Sequence, residues 1–574
     1  MSARYGGFVA ETELSWIQRA ADAAIEHAHR SGAKRIVCAS GVSPSGPIHL
    51  GNLREVMTAH FVAEEIRSRG HDAIHLHSWD DYDRLRKVPA GLDQGLNQGL
   101  DQDLAEHVGR PLAAVPDPYG ERDSYAAHFI AEFTDAVARM GVRLHEVRQS
   151  EQYPRGTYNA AIRQAMDRRG EVFDILAGFQ TEGRHDRPVE ERRAEYYPFK
   201  PYCEACGKDF TTVVGYDGLA VAYRCRCGHV GEMTLADGAT ISGKLVWKVD
   251  WPMRWVHEKV DFEPAGEDHH APSSSFASGS VLIREIFGGT APYSFPYSFV
   301  GLAGASSKMS SSTGGAAIPA TALDVLEPAM LRWLYLRRVP SQSFTIDLSP
   351  RAVQRLYDEW DQFGERAEAP GASPVEAHLR EVCLRTSTGT VDHSRRPVSF
   401  RLLSSAADIT AANVEQIDRI VRLHIGDAEA LPGRDALLKE LEPRLTCAIN
   451  YATRLLPPEE RTTIRDAFNA AAWRELDEPT RQGVRMLEDR IDDAWSLEGL
   501  TTLVYGVPKL LRGLPEDAPP SPELKKAQRA FFAALYRLLC SKDTGPRLPT
   551  LLLSIGQERA HRLLSAPPAG IDHE

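Results

Sequence analysis

One cation, Lys308, stands in the run Ser306–Gly315, SSKMSSSTGG, among five serines, one threonine and two glycines. Taken alone, that run reads as a solvated surface loop. A second stretch offers chemistry of its own. Pro44–Asn52, PSGPIHLGN, places Gly46, His49, Gly51 and Asn52 between an apolar run and a helical pattern. A helix N-terminus presents unpaired N–H groups and the positive end of its dipole, which suits phosphate. Gly46 lets the chain turn, Gly51 leaves room for a flat ring, and His49 could donate to a phosphate oxygen. A glycine-rich turn with a surface histidine has the same pattern. A third stretch holds thiols: Cys203-x-x-Cys206 and Cys225-x-Cys227, each pair followed by glycine, as in a zinc ribbon. Four sulfurs would close a structural zinc site, with His229 able to stand in for one of them.

The elements that must position these residues follow from periodicity. Arg35–Gly41 is β-branched and apolar, Leu50–Gly70 has helical spacing with a terminal glycine, and Ala73–Ser78 reads as a strand. Strand, helix, strand at this spacing begins a doubly wound parallel sheet, whose ligands bind beyond the strand ends. Helical patterns return near Glu121–Met140, Thr157–Arg169 and Ala320–Arg338. Lys244–Val249 and Phe295–Leu302 read as strands. Gly91–Gln102 repeats a glycine-bearing tetrapeptide and reads as a flexible insertion. From Ser349 onward nearly every segment has helical period, with Pro- and Ala-rich breaks at Ala367–Pro374 and Leu514–Pro522, the second expected to be a linker.

At 574 residues the chain exceeds one core, so roughly three or four domains are expected. Apolar and charged shares of 43% and 25% are those of a soluble globular protein, and no run nears the ~20 apolar residues of a membrane helix. The first sixteen residues hold an acidic pair and no apolar core, so a cytoplasmic protein without membrane attachment is expected. The net charge of −12 argues against indiscriminate coating of nucleic acid, though a local basic groove remains compatible with it. Cys38, Cys383, Cys447 and Cys540 are isolated and expected to be buried free thiols.

Read together, His49-Leu50-Gly51-Asn52 and Lys308-Met309-Ser310-Ser311-Ser312 resemble the paired HIGH and KMSKS motifs of class I aminoacyl-tRNA synthetases. SWDDYDRLRKVP from Ser78, PLAAVPDPYG from Pro111, KVDWPMRW from Lys248, FEPAGEDHHA from Phe262 and FPYSFV from Phe295 narrow the resemblance to the class I lysyl-tRNA synthetases. It is close over about residues 10–340 and agrees in kind beyond. Two positions depart from the family: Thr313 and Glu267 stand where relatives often have lysine.

The resemblance implies an α/β fold. A Rossmann-type catalytic domain would come in two halves, about 1–155 and 244–345, around a zinc-bearing insertion at 156–243. An all-helical anticodon-binding region would follow at 346–574. It implies ligation of L-lysine to tRNA(Lys) through lysyl-adenylate by a monomer, with ATP, Mg2+ and structural Zn2+, and activation with tRNA bound. His49, Asn52 and Lys308 would be catalytic. Pro44, Gly46, Gly51, Asp268, Met309, Ser310, Ser311 and Ser312 would join them around ATP. Gly41, Ser43, Asp80, Asp81, Asp83, His269, His270 and Tyr297 would hold the amino acid. Cys203, Cys206, Cys225 and Cys227 would hold the metal. Two alternatives stay open: a class I synthetase for glutamate, glutamine or arginine, and a degenerate relative that binds tRNA or lysine without joining them. In the family the lysine of the loop offsets charge on departing pyrophosphate. Lys308→Ala is therefore expected to cost ~3–4 kcal/mol in pyrophosphate exchange while sparing lysine binding. Exchange within about tenfold of the parent would remove Lys308 from that role.

Overall fold

The computed structural model describes residues 14–88, 104–180, 187–303, 317–396, 398–425, 431–515 and 517–565. Lys308 to Ser312 and the Gly91–Gln102 repeat lie outside them. The chain divides into two compact bodies. One comprises Met1–Leu323, Pro328–Leu348 and Phe363–Asp392, the other Asp324–Glu327, Ser349–Gln362 and His393–Glu574.

The first body is built on a parallel sheet. β1 (Ile36–Val42) pairs with β2 (Ala73–Trp79) from Ile36↔Ala73 to Val42↔Trp79, and β2 pairs in turn with β3 (His145–Arg148). On the other side of β1, parallel bridges add Phe262 and then Tyr293. Two-residue strands Ala265–Gly266 and Pro296–Tyr297 continue these outer positions as a parallel pair. The helix α2 (Leu50–Ser68) connects β1 to β2. It is buried on nearly every side, polar residues included, because it is covered by the sheet on one face and by other helices on the rest. Among them is α1 (Trp16–Ser31), opened by a Ser15–Gln18 capping box.

Burial of polar groups here is matched by geometry. Arg54 on α2 donates to the carbonyls of Tyr335, Val339 and Pro340 at 2.9–3.1 Å, and Arg332 donates to those of Met140 and Val382. Both guanidiniums are thus spent on backbone oxygens: Arg54 holds the Pro328–Leu336 helix onto α2, and Arg332 ties that helix to the segments at Met140 and Val382. Beneath the sheet surface, Ser40 Oγ lies 2.8 Å from both His75 Nε2 and His77 Nδ1.

Three expectations about elements are corrected. Lys244–Val249 is strand only to Leu245; from Trp247 the chain is helical to Glu258. Aromatic residues suggested β-structure, but Trp247, Trp251 and Trp255 recur at four-residue spacing and stack on one helix face, with ring centroids 5.2 and 4.7 Å apart. The helix expected over Ala320–Arg338 is two, Pro319–Ala322 and Pro328–Leu336, since Pro328 cannot continue a preceding helix. Thr157–Arg169 likewise divides, into Asn159–Asp167 and a helix that starts at Arg169.

The second body is helical throughout its described residues. Arg444 is buried between Glu327 (2.6 Å) and Asp361 (2.7 Å), fixing the 324–327 segment and the Pro350–Glu368 helix to the body. The Leu514–Pro522 stretch is not a linker between domains. Val484, Val504 and Val507 before it share one apolar core with Leu535, Leu539 and Leu552 after it.

Burial lowers the pKa of His77 to about 3, so it stays neutral in the folded state and titrates near 6.5 when unfolded. Between those values the unfolded chain binds the extra proton, and stability falls as pH falls. His77→Gln should flatten the slope of stability against pH by up to ~1.4 kcal/mol per unit between pH 4 and 6, read by urea unfolding at several pH values. Parallel slopes for variant and parent would refute the assignment.

Candidate active site

The turn after β1 delivers His49 as the extended N-cap of α2, and Leu50 donates its N–H to the Ala317 carbonyl. This turn forms one wall of a cleft of about 710 Å³, a volume suited to a nucleotide-sized ligand. Ser43, Ser45, His49, Gly51 and Asn52 line that wall, with Glu55 one turn further along α2. The loop Asp83–Lys87 after β2 forms a second wall. Gly266, Asp268, His269, Tyr297, Phe299 and Val300 form the third. The cleft therefore lies beyond the carboxyl ends of parallel strands.

A smaller cavity of about 100 Å³ adjoins it and shares Glu55 and His269. Gly41, Ser78, Asp80, Trp247, Trp251 and Arg254 are among its lining residues. Its aromatic wall is set by Glu263, whose carboxylate accepts the indole N–H of Trp251 (3.1 Å) and Trp255 (2.6 Å). Trp247 stacks on Trp251 in turn, the planes 16° apart.

Glu55 is the half-buried carboxyl between the two cavities. It accepts the Gly41 N–H and the Tyr297 hydroxyl, each at 2.7 Å, and no lysine or arginine among the described residues pairs with it. Burial raises its carboxyl pKa to about 8, with the nearby Glu263 and Asp80 adding to the rise. Of the other acids nearby, Glu258 likewise has no ion pair among the described residues and burial raises its carboxyl pKa to about 8, whereas the aspartates are compensated. Asp80 pairs with Arg254 at 3.0 Å, Arg254 with Asp250 at 3.1 Å, and Lys244 with Asp83 at 2.5 Å and Asp250 at 3.7 Å.

The profile of a family described as tRNA synthetases class I (K) matches residues 14–387. A lysine–tRNA ligase of Streptomyces coelicolor is 45% identical, with 96% of this chain and 98% of that protein aligned. Lysine–tRNA ligases of Pyrococcus horikoshii (31%, covering 94% and 97%) and Treponema pallidum (30%, 97% and 99%) are similar over equal spans. The chain belongs to the class I lysyl-tRNA synthetase family.

In this synthetase the cleft gathers Ser43, His49, Gly51, Asn52, Asp83, Asp268, His269 and Tyr297, while Gly41 and Asp80 line the smaller cavity. Pro44, Gly46, Asp81 and His270 line neither. Asp81 is engaged by the Ser150 N–H and hydroxyl, and His270 lies 3.0 Å from Ser294 Oγ and stacks on Phe276. Glu55, Trp247, Trp251 and Arg254 were not read from the sequence. Glu55 had a signal: it follows Asn52 by three and Gly51 by four, so a helix puts all three on one face. The tryptophans had the same four-residue spacing.

The cysteine cluster of the synthetase lies at the tips of an antiparallel sheet of Thr211–Tyr216, Ala220–Cys225 and Val230–Thr234. Gly207 and Gly228, each just past its pair, adopt left-handed backbone that turns the chain tightly. Cys203–Cys227 and Cys206–Cys225 sulfurs are 3.7 Å apart, and all four lie within 4.8 Å of one another. That is too far for disulfides and close to the ~3.8 Å edge of a tetrahedron with ~2.3 Å zinc–sulfur bonds. The cluster is thus compatible with a structural zinc ion. Elemental analysis should find one zinc per chain, and Cys203→Ala should lower the thermal midpoint of the first body. A metal-free preparation that melts like the parent would remove the ion from the site.

Proposed function

We propose that the chain ligates L-lysine to tRNA(Lys) through lysyl-adenylate, with ATP yielding AMP and pyrophosphate. The observation that carries this reading is Glu55, a half-buried carboxylate without a cation of its own among the described residues, set against an aromatic wall where two cavities meet. Such a site attracts an ammonium group and repels a carboxylate side chain, which favours lysine over glutamate. The ammonium partner is Glu55 rather than Asp80, Asp81 or Asp83, since each of those is already engaged within the protein.

In this arrangement the lysine stem lies along Trp247 and Trp251. Gly41 and Ser43 at the end of β1 hold the α-amino end, near the Tyr297 hydroxyl. The lysine carboxylate then faces the larger cleft, where ATP lies across the N-terminus of α2. Asp268 accepts from the ribose hydroxyls, and His49 and Asn52 contact the phosphates with the Lys308 motif. The carboxylate attacks the α-phosphorus, and the site acts by positioning and charge stabilisation. Magnesium, bound to the triphosphate, neutralises part of its charge. The lysyl group then passes to a ribose hydroxyl at the tRNA 3′ end. Residues 1–155 and 244–345 carry this chemistry, the zinc-bearing insertion at 156–243 meets the acceptor stem, and the helical region at 346–574 reads the anticodon, in a monomer.

Pyrophosphate exchange measured with tRNA and lysine, arginine or glutamate should show activity with lysine alone; preference for either competitor would overturn the reading. Glu55→Gln should lower kcat/KM for lysine by ~10²-fold or more, the cost of removing one member of a buried charge pair. The pH dependence has a definite sign. The empty site holds a proton below about pH 8 and must lose it to receive the ammonium. Lysine affinity should therefore weaken by up to tenfold per unit as pH falls below 8, and Glu55→Gln should abolish that slope.

A further inference from the structure

The loop after β2 brings three cations, Arg84, Arg86 and Lys87, to the wall of the larger cleft that faces His49 and Asn52. Arg84 is committed elsewhere: its guanidinium lies 3.0 Å from Asp209, next to the cysteine knuckle. Arg86 and Lys87 are exposed to the cleft, and among the described residues neither forms an ion pair. The neighbouring Asp83 is paired with Lys244, and Arg86 adds only a weaker, longer-range attraction to it.

The backbone beneath these two side chains is held firmly. Leu85 is buried, donates its N–H to the Arg110 carbonyl at 2.8 Å and accepts from the Gly109 N–H at 2.9 Å. Asp83 accepts from the Leu112 N–H at 2.8 Å. Gly109 in turn accepts from the Asp209 N–H, so the loop, the 109–112 segment and the knuckle form one support. Two cations with no ion pair among the described residues, on a pinned backbone, fit a fixed anion better than a solvated face. In sequence, the Lys308 motif supplies a single cation.

We propose that Arg86 and Lys87 are catalytic residues of lysine activation that bind the β- and γ-phosphates of ATP as they depart. This rests on the reading of the cleft as the site of lysine activation. A lysine carboxylate oxygen forms its bond to the α-phosphorus while the bond from that phosphorus to the bridging oxygen breaks. The electron pair leaves with pyrophosphate, no proton moves, and the added negative charge falls on the group facing Arg86 and Lys87.

The test uses the full chain with Arg86→Ala, Lys87→Ala, the double variant, and the conservative pair Arg86→Lys and Lys87→Arg. Pyrophosphate exchange is measured with ATP, lysine and tRNA, and lysine affinity by calorimetry. Each alanine variant should lose ~10²-fold in exchange kcat with lysine affinity within about twofold of the parent, and the conservative variants should recover part of the loss. A double variant within tenfold of a competent parent overturns this proposal alone. So does parallel loss of lysine affinity, which marks a loop that only supports the fold. Intact exchange with lost tRNA charging also overturns it, because the cations would then serve tRNA. A parent without lysine-dependent exchange overturns the proposed function and this proposal with it.

Discussion

A guanidinium buried among carboxylates organises the active-site half of this synthetase. Arg254 sits inside the first body between Asp80 at the end of β2 and Asp250 one turn back on its own helix, and it also donates to Ser78 Oγ. Tyr153 donates its hydroxyl to Asp250, and Lys244 joins Asp250 to Asp83. Charges removed from water are tolerated only when each is paired and hydrogen-bonded. The network therefore locks four segments of sequence into one arrangement: the end of β2, the 153 region, the strand at Gly243–Leu245 and the tryptophan helix. The end of β2 and the tryptophan helix wall the smaller cavity, and the loop just after β2 walls the larger cleft, so both depend on this pairing.

Against that background, Glu55, Glu258 and Glu263 line the smaller cavity with no ion-pair partner among the described residues, and Glu263 is spent on two indole N–H groups. Glu55 has hydrogen-bond donors in Gly41 and Tyr297 but no cation, and burial raises its carboxyl pKa accordingly. The contrast with Asp80 and Asp83 is what gives the site its chemistry. Acids whose charges are already matched hold structure, while an unmatched acid in a cavity holds a cationic ligand. The aromatic wall beside it is itself oriented by a carboxylate, since Glu263 fixes the indole N–H groups of Trp251 and Trp255. The same protein thus uses carboxylates for two structural ends, pairing a guanidinium and aiming tryptophans, and the proposed reading gives Glu55 a third, the substrate ammonium.

Much of the frame was legible in the chain itself. The β1–α2–β2 unit follows from an apolar run, a glycine-rich turn and a helical period, and the structure starts and ends these elements within about two residues of that reading. His49, Gly51 and Asn52 reach the cleft because a turn between strand and helix can face only the strand ends. Cys203, Cys206, Cys225 and Cys227 converge because tight turns after each pair leave the sulfurs few other places to go. These are local or short-range matters, set by backbone sterics and by spacing along one element.

What the sequence could not decide was which charges meet. Asp80, Asp81 and Asp83 look equivalent in SWDDYDRLRKVP, yet folding gives them three different partners, Arg254, Ser150 and Lys244, 69–174 residues away. Glu55 looks like an ordinary surface position of a helix until the sheet, the Tyr297 strand and the tryptophan helix close around it. The tryptophans themselves favour a strand by propensity, and only their stacking against the core and Glu263 makes them a helix face. Pairing energy and burial depend on distances in three dimensions, which one-dimensional spacing does not contain. The sequence by itself therefore determined the sheet, the turn, the metal-binding pattern and the family. The tertiary structure alone decided which carboxylates are spent on structure and which are left without an ion pair at the cavities.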